Sequence, residues 1–172
     1  KYVMLNSGSE AVTVAMRIAD IDAKVKTAEP NGPQKTCLVA LSTGFHGRTE
    51  RPAVASDSSR KNYFKHLKSY ENSDAVTLFT TPANDIESLE KTFETIKEQG
   101  YHSELFLMEA TQGEGNPGVR LTPEFYNVAR KLTKDAQSLL LVDSIQAGIR
   151  ATGELSIVDY PGFQDVEAPD FE

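Results

Sequence analysis

The chain of 172 residues contains a single cysteine, no long apolar run and no excess of positive charge. One cysteine excludes an internal disulfide framework, and the apolar neighbours of Cys37 predict a buried thiol in a reducing compartment such as the cytoplasm. The apolar runs are far shorter than the roughly 20 residues that cross a bilayer, so no membrane partner is predicted. A net charge of −7 argues against a general nucleic-acid binder.

The glycine motifs of common nucleotide-binding proteins are also missing. No predicted strand leads into a dinucleotide fingerprint, and Asn6–Glu10 lacks the glycine spacing and the lysine of a P-loop. An unrelated doubly wound nucleotide binder is therefore disfavoured. Positive charge is concentrated locally between Arg48 and Lys68, which predicts either a solvated loop or a surface that attracts an anionic substrate.

Strand and helix patterns alternate along the chain. Apolar runs predict strands at Lys1–Leu5, Thr36–Leu41, Ala75–Thr80, Glu104–Met108 and Ser138–Val142. Apolar spacing predicts helices from the Asn6–Glu10 turn to about Ala28, from Asp85 to Gln99 with Asn84 as N-cap, and from Pro123 to Asp135. This alternation predicts an α/β fold with a mainly parallel sheet between two helical layers.

Two segments carry weaker patterns. Residues 50–73 show no strong helix or strand signal beyond a short helix at Asn62–Lys68. The tail, Glu154–Glu172, has the proline and glycine content of a surface excursion that leads into another strand. The whole chain, 1–172, is predicted to form one domain that is truncated at both ends.

Polar or glycine-rich loops follow four of the predicted strands. They are Asn6–Glu10, Ser42–Thr49, Glu109–Gly118 and the turn that begins at Asp143. Ligands of open α/β sheets bind at the carboxyl ends of the strands, so these loops are expected to converge. Free N–H groups at a helix start make Ser7, Gly8 and Ser9 a candidate anion site, and an ordinary serine N-cap is the alternative.

The second loop combines three side chains that suit a flat, charged ligand. Phe45 could stack on a ring, His46 could hydrogen-bond or move a proton, and Arg48 could clamp a carboxylate. The alternative is a loop with a packed phenylalanine and exposed polar neighbours.

The turn after the last strand suits a heteroaromatic ring. Asp143 could pair with a ring nitrogen, Gln146 could bond a ring oxygen, and Ile145 could pack on a face. The alternative is a buried strand that ends in an aspartate with a capping role.

These motifs together resemble the class III aminotransferases that use pyridoxal phosphate, a group that includes ornithine, acetylornithine and 4-aminobutyrate aminotransferases. The resemblance covers nearly the whole chain, in order, through Asn6-Ser-Gly-Ser-Glu-Ala11, Phe45-His-Gly-Arg-Thr49, Glu109…Gln112-Gly-Glu-Gly115 and Asp143…Gln146. It implies the large domain of a fold-type I pyridoxal-phosphate enzyme, a homodimer with its site at the subunit boundary.

The resemblance also implies residue roles. Gly8 and Ser9 would bind the cofactor phosphate, Phe45 would stack on the ring, and Ser7 and His46 are further predicted cofactor-binding residues. The ring would further be held by Asp143 at its nitrogen, Gln146 at its hydroxyl and Ile145 beneath it. Arg48 matches a position that binds a substrate carboxylate, and Glu114 matches an acid that in some members pairs with an arginine lying beyond this chain.

Some positions depart from the family pattern. The family has Glu at Ser144, Thr at Ala147, Arg at Ala151 and Pro at Ala110. The catalytic lysine is expected just beyond Glu172, since the family places it after a Pro-Asp pair such as Pro169-Asp170. The expected reaction moves an amino group from an amino acid or other amine to a 2-oxo acid. The alternatives are a racemase, aminomutase or decarboxylase of the same fold, or a non-catalytic partner subunit.

Overall fold

The computed structural model describes residues 2–28, 32–70 and 76–172. Within these ranges the helices are α1 (Gly8–Lys26), α2 (Glu50–Ala55), α3 (Asp57–His66), α4 (Ile86–Glu98) and α5 (Pro123–Asp135). The strands are β1 (Lys35–Leu41), β2 (Thr77–Thr81), β3 (Tyr101–Met108) and β4 (Leu139–Val142). The four described strands run parallel in the order β2-β1-β3-β4, with 3-10 turns at Lys68–Tyr70 and Ile157–Asp159.

The sheet separates two apolar layers because alternate residues of a strand face opposite sides. Cys37, Val39 and Leu41 of β1 pack in the layer that contains α4 and α5. Leu38 and Ala40 pack in the layer that contains α1 and the end of α2. This three-layer α/β arrangement confirms the predicted fold class.

Helix caps explain where α4 and α5 begin. The Thr122 hydroxyl accepts from Phe125 N–H at 3.2 Å, so α5 starts as predicted. The predicted cap of α4 was wrong, since Asp85, not Asn84, accepts from Ser88 N–H at 2.9 Å. Asn84 instead has a φ of 63°, and its side chain bonds the backbone of Arg120 and Thr122. An asparagine that tolerates this left-handed turn tethers the loop in front of α5.

Three further predictions need correction. Residues 2–5 form no strand, and Lys1 lies outside the described residues. Residues 50–66 form α2 and α3, although the sequence suggested only a short helix that began at Asn62. The strand predicted from Ala75 runs over Thr77–Thr81, and Ala75 itself lies outside the described residues.

The tail from Glu154 is more deeply buried than its composition suggests. Ile157, Tyr160 and Phe163 are buried in the α4–α5 layer, so the expected surface excursion was wrong in that part. Phe171 forms a parallel bridge with Leu141 at the free side of β4, as a lead into another strand requires. No helix among the described residues is long and apolar enough to span a bilayer.

An irregularity in β3 places one acid inside the protein. The pairing passes from Cys37–Ser103 to Leu38–Leu105, which leaves Glu104 as the extra residue of a bulge. The Glu104 side chain is 4% exposed and pairs with Arg51 of α2 at 2.5 Å. Burial, with the Glu104 charge as a second cause, raises the pKa of Cys37 to about 12, so this thiol is the inert core cysteine that the sequence predicted.

Candidate active site

Loops from the carboxyl ends of β1 and β3 meet the start of α1 at one edge of the sheet. Arg48 N–H in the first loop donates to Ser9 Oγ of α1 at 3.2 Å. Phe45 N–H donates to a carboxylate oxygen of Glu109, which directly follows β3, at 3.1 Å. These contacts confirm that the loops converge, as the strand order predicts.

A buried acid–imidazole pair lies at the centre of this edge. His46 Nδ1 is 3.1 Å from Asp143 Oδ2, and the two side chains are 0% and 7% exposed. Because an ionised carboxylate only accepts, the contact requires a proton on Nδ1. Ile145 N–H donates to the other oxygen of Asp143 at 3.2 Å. The pair therefore holds an acid in a fixed orientation at the end of β4, where it can keep a proton on a ligand nitrogen.

Glu109 is a site residue that was not among the predicted ones. Its carboxylate is buried and accepts from the N–H groups of Phe45 and Gly113, each at 3.1 Å. Burial raises the pKa of Glu109, nearby Asp143 adds to the rise, and His46 and the two N–H donors oppose it. A clue was available, because Glu109 follows its strand as directly as Asp143 follows β4.

His46 lies near Glu109 as well as Asp143. A Cβ on Gly44 would be 3.2 Å from His46 Nε2 and 3.4 Å from a Glu109 oxygen, so both atoms flank the same glycine. His46 Nε2 is buried without a hydrogen-bond partner among the described residues. The imidazole is thus bonded to one acid and lies near a second one.

The start of α1 is capped by Ser7 and packs closely against the turn after β4. The Ser7 hydroxyl accepts from Glu10 N–H at 3.3 Å and so caps the helix, and the Glu10 side chain accepts from Asn6 N–H, one residue before the cap, at 3.0 Å. A Cβ on Gly8 would lie 2.8 Å from Ile145 Cγ1, so a side chain there would crowd Ile145. The Gly8 and Ser9 N–H groups lie in the first turn, where an α-helix offers no internal acceptor, and they suit an anion.

The loop after β3 brings Glu114 and Gln146 together. Glu114 N–H donates to Gln146 Oε1 at 3.1 Å. A Cβ on Gly113 would lie 2.0 Å from the same oxygen, so only glycine allows this approach. Arg48 Nη2 is 3.8 Å from Glu114 Oε2, and its guanidinium lies 5.6 Å from the centre of the Phe45 ring. All the predicted site residues therefore lie at this edge.

Two glycines of this loop have similar backbone angles but different surroundings, so their substitution should destabilise the protein to different degrees. Gly115 and Gly118 have φ values of 97° and 87°, but a Cβ on Gly115 would lie 2.3 Å from Thr43 O, whereas Gly118 has open space. We expect Gly118→Ala to cost about 1 kcal/mol for its backbone angle and Gly115→Ala about 2 kcal/mol more for the clash. Urea unfolding of the full protein measures the difference, and equal losses would contradict the close packing.

Three of the four departures from the family pattern lie in the turn segment that follows Asp143, and the acid–imidazole pair is kept beside them. The Ser144 hydroxyl donates to Glu172 at 2.7 Å and so connects the turn to the end of the tail. Ala147 is 3% exposed, and Ala151 is exposed. The His46–Asp143 contact and the Gln146 contact are kept beside all three.

A cavity of about 610 Å³ lies elsewhere, near the amino ends of β1 and β3 between α4 and α5. Its lining includes the apolar side chains of Phe93, Tyr101 and Leu132. The carboxyl edge is the stronger candidate site, because it holds both the buried acid–imidazole pair and the first-turn N–H groups of α1.

Sequence and structure comparisons show which known proteins this chain is similar to. The sequence profile of a family described as aminotransferase class-III matches residues 1–166. The fold matches an ornithine aminotransferase from Toxoplasma gondii (TM-score 0.67, 26% identity, 96% of this chain and 35% of that chain). It also matches an acetylornithine aminotransferase from Elizabethkingia anophelis (TM-score 0.61, 26% identity, 95% and 35%).

A lysine aminotransferase from M. tuberculosis shares the fold at 20% identity, with a TM-score of 0.71 over 97% of this chain and 40% of that one. The chain thus spans between a third and two fifths of the length of these solved structures. The family profile covers almost all of the chain, including every loop of the site. The chain belongs to the class III aminotransferase family.

Proposed function

We propose that the chain forms the cofactor-binding part of a pyridoxal-phosphate-dependent aminotransferase. The enzyme transfers an amino group from an amino acid or other amine to a 2-oxo acid. The observation that carries the proposal is the buried His46–Asp143 contact, 3.1 Å long, beside the open helix start at Gly8. Family membership and the Toxoplasma relative, whose structure is described with partial occupancy of pyridoxal phosphate at its active site, support it.

The residues present fit this cofactor. Gly8 and Ser9 offer N–H groups to the phosphate, and Phe45 offers a face to the ring. Asp143 would hold a proton at the ring nitrogen, because His46 and the Ile145 N–H fix its carboxylate. The bound cofactor supplies an electron sink for the carbanion that forms when the substrate loses a proton. In this assignment His46 is a positioning residue and Asp143 a catalytic one.

The substrate side of the proposal rests on exposed groups. The Arg48 guanidinium is 70% exposed, so it can receive a substrate carboxylate at the rim of the site. Glu114 lies beside it. We further propose a catalytic lysine just beyond Glu172, a homodimer, and a cytoplasmic location, which the buried reduced thiol of Cys37 supports.

The near-visible absorption spectrum of the full-length protein tests the proposal. With pyridoxal phosphate added, we expect a band of protein-bound cofactor that shifts when an amino donor is added. Pyridoxal, which lacks the phosphate, is the matched control and should give a much weaker band, because it leaves the helix start unused. A spectrum of free cofactor alone would contradict the proposal. A shift without amino transfer to a 2-oxo acid would favour a racemase, aminomutase or decarboxylase.

A further inference from the structure

We propose that Ser56, at the joint between α2 and α3, is a positioning residue that acts on the candidate site through His46. Ser56 follows the last residue of α2 and precedes the first residue of α3, and it is fully buried. Its effect on cofactor binding rests on the proposed function, whereas its effect on His46 does not. The name joint is used below for residues 56–58.

The Ser56 hydroxyl makes hydrogen bonds both as a donor and as an acceptor. It donates to Pro52 O at 2.8 Å, with Gly47 O also within reach at 3.1 Å. Its oxygen accepts from His46 N–H at 2.8 Å, and this contact is buried. Because a buried N–H that loses its acceptor has no water to replace it, the bond is costly to remove. Ser56 therefore holds the backbone of His46 against the joint.

The two residues after the serine hold the same loop. The Asp57 carboxylate accepts from Thr43 N–H at 2.7 Å, and Ser58 N–H donates to Gly44 O at 3.2 Å. Thr43 has a φ of 59°, a left-handed conformation that β-branched residues rarely adopt, so its surroundings must keep it there. Three consecutive residues of the joint thus fix the loop that follows β1.

The backbone and the side chain of His46 are held by different parts of the fold. The backbone is bonded to Ser56, whereas Nδ1 lies 3.1 Å from Asp143 Oδ2. The sheet fixes the acid, because Asp143 N–H donates to Met108 O at 2.7 Å. A displacement of the His46 backbone would therefore move the imidazole relative to an acid that stays in place. Ser56 sets the distance within this pair, and with it the orientation of the carboxylate toward a ligand.

The test follows the Nδ1 proton of His46 in the full-length protein by proton NMR, with and without pyridoxal phosphate. A buried imidazole proton that is bonded to a carboxylate should give a slowly exchanging downfield signal, which its absence in His46→Gln identifies. In Ser56→Ala this signal should shift or disappear, and the Kd for pyridoxal phosphate should rise about ten-fold. Ser56→Thr keeps the hydroxyl and should restore both.

Ser59→Ala is the matched control, because the Ser59 hydroxyl, also buried in the first turn of α3, has no hydrogen-bond partner among the described residues. It should leave the His46 signal and the Kd unchanged. Circular dichroism should show the wild-type fold in every variant.

An unchanged His46 signal in Ser56→Ala would overturn the inference. Equal losses in Ser59→Ala, or loss of the folded spectrum in Ser56→Ala, would also overturn it, because a general structural role would then explain the result. If the signal and the Kd of Ser56→Ala match the wild type while amino transfer continues, the positioning role fails and the proposed function stands. If the wild type binds no pyridoxal phosphate, the proposed function fails, and the His46 signal alone decides the role of Ser56.

Discussion

Replacing Asp143 with asparagine should lower turnover of the full-length enzyme by about 10²- to 10³-fold, while leaving the fold intact. The carboxylate is 7% exposed and accepts from His46 Nδ1 and from Ile145 N–H, so its position does not depend on a ligand. Asparagine keeps the size of the side chain but removes the charge that, in the proposed function, holds a proton at the ring nitrogen. Steady-state turnover with a saturating amino donor measures the effect.

The control for Asp143→Asn is Asp165→Asn, which makes the same chemical change at an exposed tail position. It should keep normal turnover, and the circular dichroism spectra of both variants should match the wild type. Turnover near the wild-type rate in Asp143→Asn would exclude the catalytic role of this acid. Loss of turnover together with loss of the folded spectrum would instead assign Asp143 a structural role through His46.

The convergence of the loops was predictable because it depends on strand direction alone. Parallel strands end at the same edge, so Phe45, Glu109 and Asp143 had to lie near one another once the alternation of strands and helices was recognised. The roles of the side chains at that edge came from the family resemblance. They stay predictions until measured.

The errors have local physical causes. Helix α3 was predicted only from Asn62 onward because it buries none of its side chains, so no apolar periodicity marks its start. Helix α2 buries several residues but spans only six, which is too short to show a helical period. Asp85 rather than Asn84 caps α4, since both residue types cap helices and only the turn angle at Asn84 separates them. The burial of Tyr160 and Phe163 in the tail depends on distant contacts with α5, which a turn-rich sequence does not reveal.

Side-chain contacts between loops could not be predicted from the sequence for a similar reason. The Arg48–Glu114 and His46–Asp143 contacts join residues 66 and 97 positions apart. Spacing along the chain sets which edge a residue reaches, but the atom it touches depends on loop shape. The bulge at Glu104 is another such detail, because the apolar run that marks β3 gives no sign of an extra residue.

Arg51→Met should be the most destabilising of the substitutions considered, at about 3–5 kcal/mol. Glu104 is 4% exposed, and Arg51 is the cation that neutralises it, at 2.5 Å, while also contacting Asp20 at 3.5 Å. Methionine preserves much of the apolar stem of Arg51 but leaves the Glu104 charge buried without its partner. The free energy of unfolding of the full protein, from urea titration, measures the loss.

Lys131→Met is the matched control, because Lys131 is an exposed cation on α5, and it should change the free energy of unfolding by less than about 0.5 kcal/mol. Adding Glu104→Gln to Arg51→Met should recover much of the loss, since a neutral amide costs less to bury than an unpaired charge. If the double variant is as unstable as Arg51→Met, the loss comes from packing around α2 and not from the carboxylate. Recovery would instead establish that the bulge in β3 depends on α2 for its charge balance, which couples the sheet to the helix that follows the Arg48 loop.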